Sequence, residues 1–128
     1  MLTEQISLLQ KVSGDFGTEL IYLSDHGESL GEGGVHLHGA PYEVAPPGQL
    51  HIPLIVWMSD GYRARFGIDD GCMRRQANGA YSHDNLYHTL LGVMAVRTDF
   101  YRGGMDVLGA CRARGDWCGR WRGKEGWV

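Results

Sequence analysis

The 128 residues contain no uninterrupted apolar stretch of the roughly 18 residues that a membrane-spanning helix needs, so no bilayer anchor is expected within them. Nor is a signal sequence expected in these residues: Leu2, Ile6 and Leu9 fall at helical spacing from the second residue, which predicts a chain that begins inside or beside a helix. Basic charge is scarce in the main body, where residues 1–111 hold 7 Lys and Arg against 13 Asp and Glu, a net of −6. That balance excludes the electropositive footprint of a nucleic-acid-binding protein. Internal repeats and low-complexity segments are absent. Cysteine is limited to Cys72, Cys111 and Cys118, a usage that is ambiguous as to pairing.

Strands are also in short supply. The length and the 43% hydrophobic content suit one globular domain. Yet only Leu20–Ser24 and Pro53–Met58 read as convincing strands, and both are continuous apolar runs of the kind found inside a parallel sheet. Two such strands do not make a stable sheet. The expectation is therefore a piece of a larger α/β domain. Ser82 is a good N-cap for a helix whose Leu86, Leu90, Val93 and Met94 share a face, and a short helix is expected around Tyr62–Phe66.

What is present in quantity is chemistry directly after the first strand, in Ser24-Asp25-His26-Gly27-Glu28-Ser29-Leu30-Gly31-Glu32. A carboxylate and an imidazole at a strand's C-terminal edge are two good zinc donors at the place where open α/β sheets put their ligands. Adjacent strand side chains point to opposite faces, so Asp25 and His26 can share an ion only if the chain has already left strand geometry. Gly27 makes that turn easy. Residues 25–52 hold too many Gly and Pro for a regular element and predict a long loop, which its four histidines mark as functional.

The string Ser24 to Glu32, with Leu37-His38-Gly39, Pro41-Tyr42, Ala45-Pro46, His51-Ile52-Pro53, Trp57-Met58-Ser59, Ser82 to Leu86 and Ala110-Cys111-Arg112, resembles the C-terminal catalytic segment of the lipid A phosphoethanolamine transferases. These include the mobile colistin-resistance enzymes and belong to the alkaline phosphatase and sulfatase superfamily. The resemblance implies an α/β/α sandwich with a mainly parallel sheet, of which residues 1–111 would be the C-terminal portion. It implies a zinc-dependent transfer of phosphoethanolamine from phosphatidylethanolamine to lipid A, on the periplasmic side of a bacterial inner membrane. In that family the matching Asp25 and His26 bind the catalytic zinc, and His38 helps bind the phosphoethanolamine group or a second zinc. Glu28 is expected to orient a metal-bound histidine; Glu32 has the same option or is simply solvated.

The family's nucleophilic threonine lies before the Asp-His pair. Thr3 and Thr18 are the only threonines before Asp25, and neither stands in the strand-to-helix context of that nucleophile. The chain alone is thus expected to be inactive, its membrane anchor and nucleophile lying in a part it lacks. Two other readings stand beside this one: a fragment of another sulfatase-superfamily hydrolase or transferase, and a non-catalytic metal-binding product.

Other histidines read as bland. Relatives mostly carry an aromatic residue where His36 stands, His51 reads as structural, and His83 and His88 are separated by about 140° around a helix and should not share an ion. A periplasmic location permits a disulfide between Cys72 and Cys111, or from either to a cysteine elsewhere, and free thiols are equally compatible. Residues 112–128, with a net charge of +3 and Trp117, Trp121 and Trp127, form a basic tail expected to be disordered.

Overall fold

A computed structural model describes residues 1–113. The expected basic tail beyond Ala113 lies outside the described residues. Contacts divide the chain at Gly61 into two compact units, Met1–Gly61 and Tyr62–Val128, a division with no signal in the composition.

The first unit opens with helix α1, Leu2–Val12, whose Glu4 and Lys11 sit at the ends where they complement the helix dipole. Strands β1, Glu19–Leu23, and β4, Leu54–Met58, fall within a residue of the two apolar runs. They pair antiparallel, with Leu20 opposite Trp57, Ile21 opposite Val56 and Tyr22 opposite Ile55. The mainly parallel sheet that the apolar runs and the resemblance imply is thus represented here by one antiparallel pair. The connection explains it: a parallel partner requires a crossover that carries the chain back along the sheet, usually on a long helix. The only α-helix within residues 24–53 is the four-residue α2, Pro47–Leu50, and the chain re-enters beside the end that it left. The ladder continues beyond β1 and β4, since Ser59 N–H donates to Thr18 O at 2.9 Å and Thr18 N–H to Ser59 Oγ at 3.0 Å.

The expected long loop is more ordered than its glycine content suggests. It holds a small antiparallel hairpin of β2, Ser29–Leu30, and β3, His36–Leu37, with Ser29 opposite Leu37. Gly31, Gly33 and Gly34 all have positive φ in the turn between them, which only glycine adopts without strain. Glu32 secures the same turn: its carboxylate accepts from Leu30 N–H at 2.8 Å. Its own backbone N–H and that of Leu30 hold this carboxyl below the ordinary carboxylate value. Glu32 therefore acts on the hairpin, where the charge of His36 works in the same direction.

The second unit is helical. Helix α3, Asp60–Phe66, matches the short helix expected there; α4, Asp70–Gln76, was not foreseen; α5, Asp84–Val93, begins two residues after Ser82, whose hydroxyl accepts from Asp84 N–H. Tyr62, Leu108 and Cys111 form its buried apolar centre. A disulfide joins Cys72 of α4 to Cys111, which settles the pairing among the alternatives that the sequence left open. Asp106 and Arg112 form a buried ion pair, and the two residues approach α5 closely enough that Gly92 has no room for a Cβ.

Candidate metal site

At the end of β1 the chain leaves strand geometry at Ser24. The hydroxyl of Ser24 donates to His26 O at 2.8 Å, and Asp25 Oδ1 accepts from His26 N–H at 3.2 Å. These short-range bonds make the turn that an adjacent Asp-His pair needs to face one point. Asp25 Oδ2 and His26 Nε2 lie 3.9 Å apart. Two donors on a tetrahedral zinc with bonds of about 2.0–2.1 Å stand roughly 3.4 Å apart, so a small side-chain rotation closes the pair on one ion.

The protonation pattern suits ligation. His26 Nδ1 lies 2.9 Å from Gly27 O, and a carbonyl can only accept, so the ring proton sits on Nδ1 and the Nε2 lone pair is left for a metal. His38 repeats the arrangement: its Nδ1 is 3.1 Å from Glu28 Oε2, which fixes the proton on Nδ1. The two imidazoles stack at 3.8 Å between centroids and 27° between planes. Donor atoms of His26, Glu28 and His38 all lie within 4.8 Å of one another.

Of the residues singled out from the sequence, the structure brings His26, Glu28 and His38 into one cluster. Asp25 borders it, with its side chain 91% exposed. Glu28 Oε2 meets His38 Nδ1 at 3.1 Å. His36 packs its ring over Gly31, outside the cluster. His88 Nδ1 accepts from Arg102 N–H at 3.2 Å, a packing role. Imidazole nitrogens and carboxylate oxygens form a donor set that zinc accepts readily, and the residues present fit that ion.

Sequence reasoning missed the support beneath the cluster. Gln49, in a loop where a Gln reads as solvated, is buried. Leu37 has φ of +66°, a conformation rare for leucine, and turns His38 out of the strand alternation. The second unit holds a separate cavity of about 670 Å³, bounded by residues that include Gly92, Arg97, Thr98, Tyr101 and Arg112.

The profile of the sulfatase family matches residues 2–96. The chain belongs to the sulfatase family. Phosphoethanolamine transferase EptA of Salmonella typhimurium is 45% identical over 113 residues, 88% of this chain and 21% of the relative. Phosphatidylethanolamine transferase Mcr-1 of Escherichia coli is 34% identical over 98 residues, 77% of this chain and 17% of that one. Among solved structures, the soluble domain of lipooligosaccharide phosphoethanolamine transferase A from Neisseria meningitidis superposes with a TM-score of 0.76 at 42% identity, covering 86% of this chain and 35% of the other. The C-terminal periplasmic domain of phosphoethanolamine transferase EptC from Campylobacter jejuni gives 0.72 at 42% identity, covering 84% and 33%. The chain spans about a fifth of the length of EptA. This sulfatase-family chain has the α/β class expected from its sequence, and among its described residues no helix is long and apolar enough to cross a membrane.

Proposed function

We propose that this chain furnishes one side of the active site of a zinc-dependent phosphoethanolamine transferase, with phosphatidylethanolamine as donor and lipid A as acceptor. The observation that carries the reading is the placement of His26 Nδ1 against Gly27 O and of His38 Nδ1 against Glu28 Oε2, with Asp25 beside them. Similarity to EptA and Mcr-1 supports the reaction class, and the transferase that acts on Kdo(2)-lipid A in Escherichia coli, 56% identical over 43 residues, supports the acceptor.

Asp25 and His26 would hold the zinc. When bound, zinc neutralises charge on phosphate oxygens and lowers the pKa of a coordinated hydroxyl. His26, with its proton committed to Gly27 O, presents a lone pair and cannot compete as a donor to the phosphate. His38 receives hydrogen-bond support from Glu28 and would contact the phosphoethanolamine group, where the Glu28 carboxylate also attracts its ammonium. Two ligands leave a four-coordinate ion incomplete, so the remaining donors and the nucleophile come from other residues of a parent polypeptide, and the chain alone does not turn over. A parent anchored in the inner membrane with this part in the periplasm agrees with the Cys72–Cys111 disulfide, since oxidising compartments preserve such bonds.

The test is a chimera in which this chain replaces the matching stretch of Salmonella EptA, with lipid A analysed by mass spectrometry. Phosphoethanolamine-modified lipid A is expected from the chimera and not from its Asp25→Ala or His26→Ala variants. Modification that persists in both variants would overturn the assignment. The isolated chain, incubated with zinc and phosphatidylethanolamine, is expected to release no phosphoethanolamine.

A further inference from the structure

Gln49 is a polar side chain with 9% of its surface exposed, and every polar atom it owns is engaged. Its Nε2 donates to Ser29 Oγ at 2.9 Å and to Leu37 O at 3.1 Å, and its Oε1 accepts from Ala40 N–H at 3.2 Å. Its backbone carbonyl accepts from Gly27 N–H at 3.2 Å. These four partners bracket the cluster: Gly27 and Ser29 flank Glu28, and Leu37 and Ala40 stand on either side of His38.

Two further features show that this junction is held under constraint. Leu37 occupies the left-handed region, which is strained for an L residue and persists only where surrounding contacts enforce it. The carbonyl of that strained residue is one of the two acceptors of Gln49 Nε2. On the other side, a Cβ at Gly27 would meet the Gln49 carbonyl carbon at 2.8 Å and its Cα at 2.9 Å, so the segment carrying His26 lies directly on the Gln49 backbone.

We infer that Gln49 is a positioning residue for this site: it locks the two loops in register so that Glu28 reaches His38 and His38 stacks on His26. The inference rests on reading the cluster as a metal and substrate site, while its own evidence is the hydrogen-bond geometry. Gln49 touches none of His26, Glu28 or His38 through its side-chain hydrogen bonds and works entirely through their neighbours.

The test uses the full chain carrying Gln49→Met, which keeps most of the side-chain volume and the backbone carbonyl but removes all three side-chain bonds. Long-range proton–nitrogen spectra of the metal-free chain read which nitrogen of each imidazole carries the proton. Wild type should show His38 protonated on Nδ1; the variant should show a mixture of tautomers at His38, with His83 and His88 unchanged as references for an intact second unit. Zinc uptake by the wild-type chain, measured by competition with a chromophoric chelator, checks the metal reading separately. Wild-type spectra at His38 in a folded variant would overturn the inference. If Gln49→Met does not fold, Ser29→Ala, which deletes one bond, decides: a partial tautomer shift at His38 supports the inference and an unchanged spectrum overturns it. A wild-type chain that takes up no zinc would undermine the metal reading alone, because the ring spectra still report on Gln49.

Discussion

The hydroxyl of Tyr101 donates at 2.8 Å to Oδ2 of Asp106, the same carboxylate oxygen that takes Nη1 of Arg112. Asp106 Oδ1 accepts from Leu108 N–H at 2.9 Å, so both oxygens of a fully buried carboxylate are used. A charge in that position is tolerated only when it is paired and hydrogen-bonded. The network ties the last described turns of the chain to the segment after α5.

Burial is the first reason that the Tyr101 hydroxyl ionises above its ordinary value of 10.0, followed by its hydrogen bond to Asp106 and the charge there; Arg112 works in the opposite sense. The folded chain therefore holds this proton more tightly than the unfolded chain. The stabilisation is complete below the ordinary value and is lost as pH rises through the raised one. Tyr101→Phe should cost about 1 kcal/mol at neutral pH, the net worth of one hydrogen bond. It should also flatten the alkaline fall of Tm, measured between about pH 8 and about pH 11. Parallel Tm profiles for the two proteins would contradict the assignment.

Gly92 provides a test in which propensity and packing disagree. Inside α5, alanine is favoured over glycine by about 1 kcal/mol. A Cβ at this position, however, would crowd the Asp106 carboxylate, with Cγ at 3.0 Å, and the Arg112 guanidinium. Both groups are buried and bonded to each other, and displacing such a pair costs about 3–5 kcal/mol. Gly92→Ala should destabilise the chain by about 3 kcal/mol in urea unfolding; a stabilised variant would mean that the buried pair is not where the structure has it.

Ala95 points the other way. Val96 N–H donates to Leu91 O at 2.9 Å and Ala95 N–H to Gly92 O at 3.2 Å, the double bond pattern of a Schellman ending, and Ala95 takes its left-handed position at φ of +53°. Glycine fits that position without Cβ strain. Ala95→Gly should raise stability by up to about 1 kcal/mol, read as a higher urea midpoint with an unchanged slope.

The sequence made β1, β4, α1 and α3 legible because apolar runs and helical spacing are local signals. It singled out Asp25, His26, Glu28 and His38 through their motif, and the structure gathers the last three of them. The antiparallel pairing of β1 with β4 was not legible, since a continuous apolar run reads the same in either direction. Helix α4 was hidden because Asp70–Gln76 has no apolar stripe and is held by the Asp69 cap, whose Oδ1 accepts from Cys72 N–H at 3.0 Å. Gln49 and Leu37 escaped notice for a related reason: a buried glutamine and a left-handed leucine leave no trace in pattern, only in the contacts that three distant segments make together.

The bridge between Cys72 and Cys111 spans 39 positions, and it closes over one further tie, from Asp69 N–H to Cys111 O at 2.9 Å. Cross-linking a loop of that length limits the unfolded chain by about 4 kcal/mol in the chain-entropy account. The second unit has a small apolar centre in which Cys111 itself, 2% exposed, is one of few buried residues. Replacing both cysteines by serine should thus remove about 4 kcal/mol from that unit's stability and add the cost of a buried hydroxyl at position 111, about 1–3 kcal/mol by mutational measure. Reduction of the wild-type chain should reproduce the first part of the loss without the second. Thiol titration of the oxidised, denatured chain should find two of the three cysteines protected. Three reactive thiols, or equal stability before and after reduction, would place the structural support of this unit elsewhere than in the bridge.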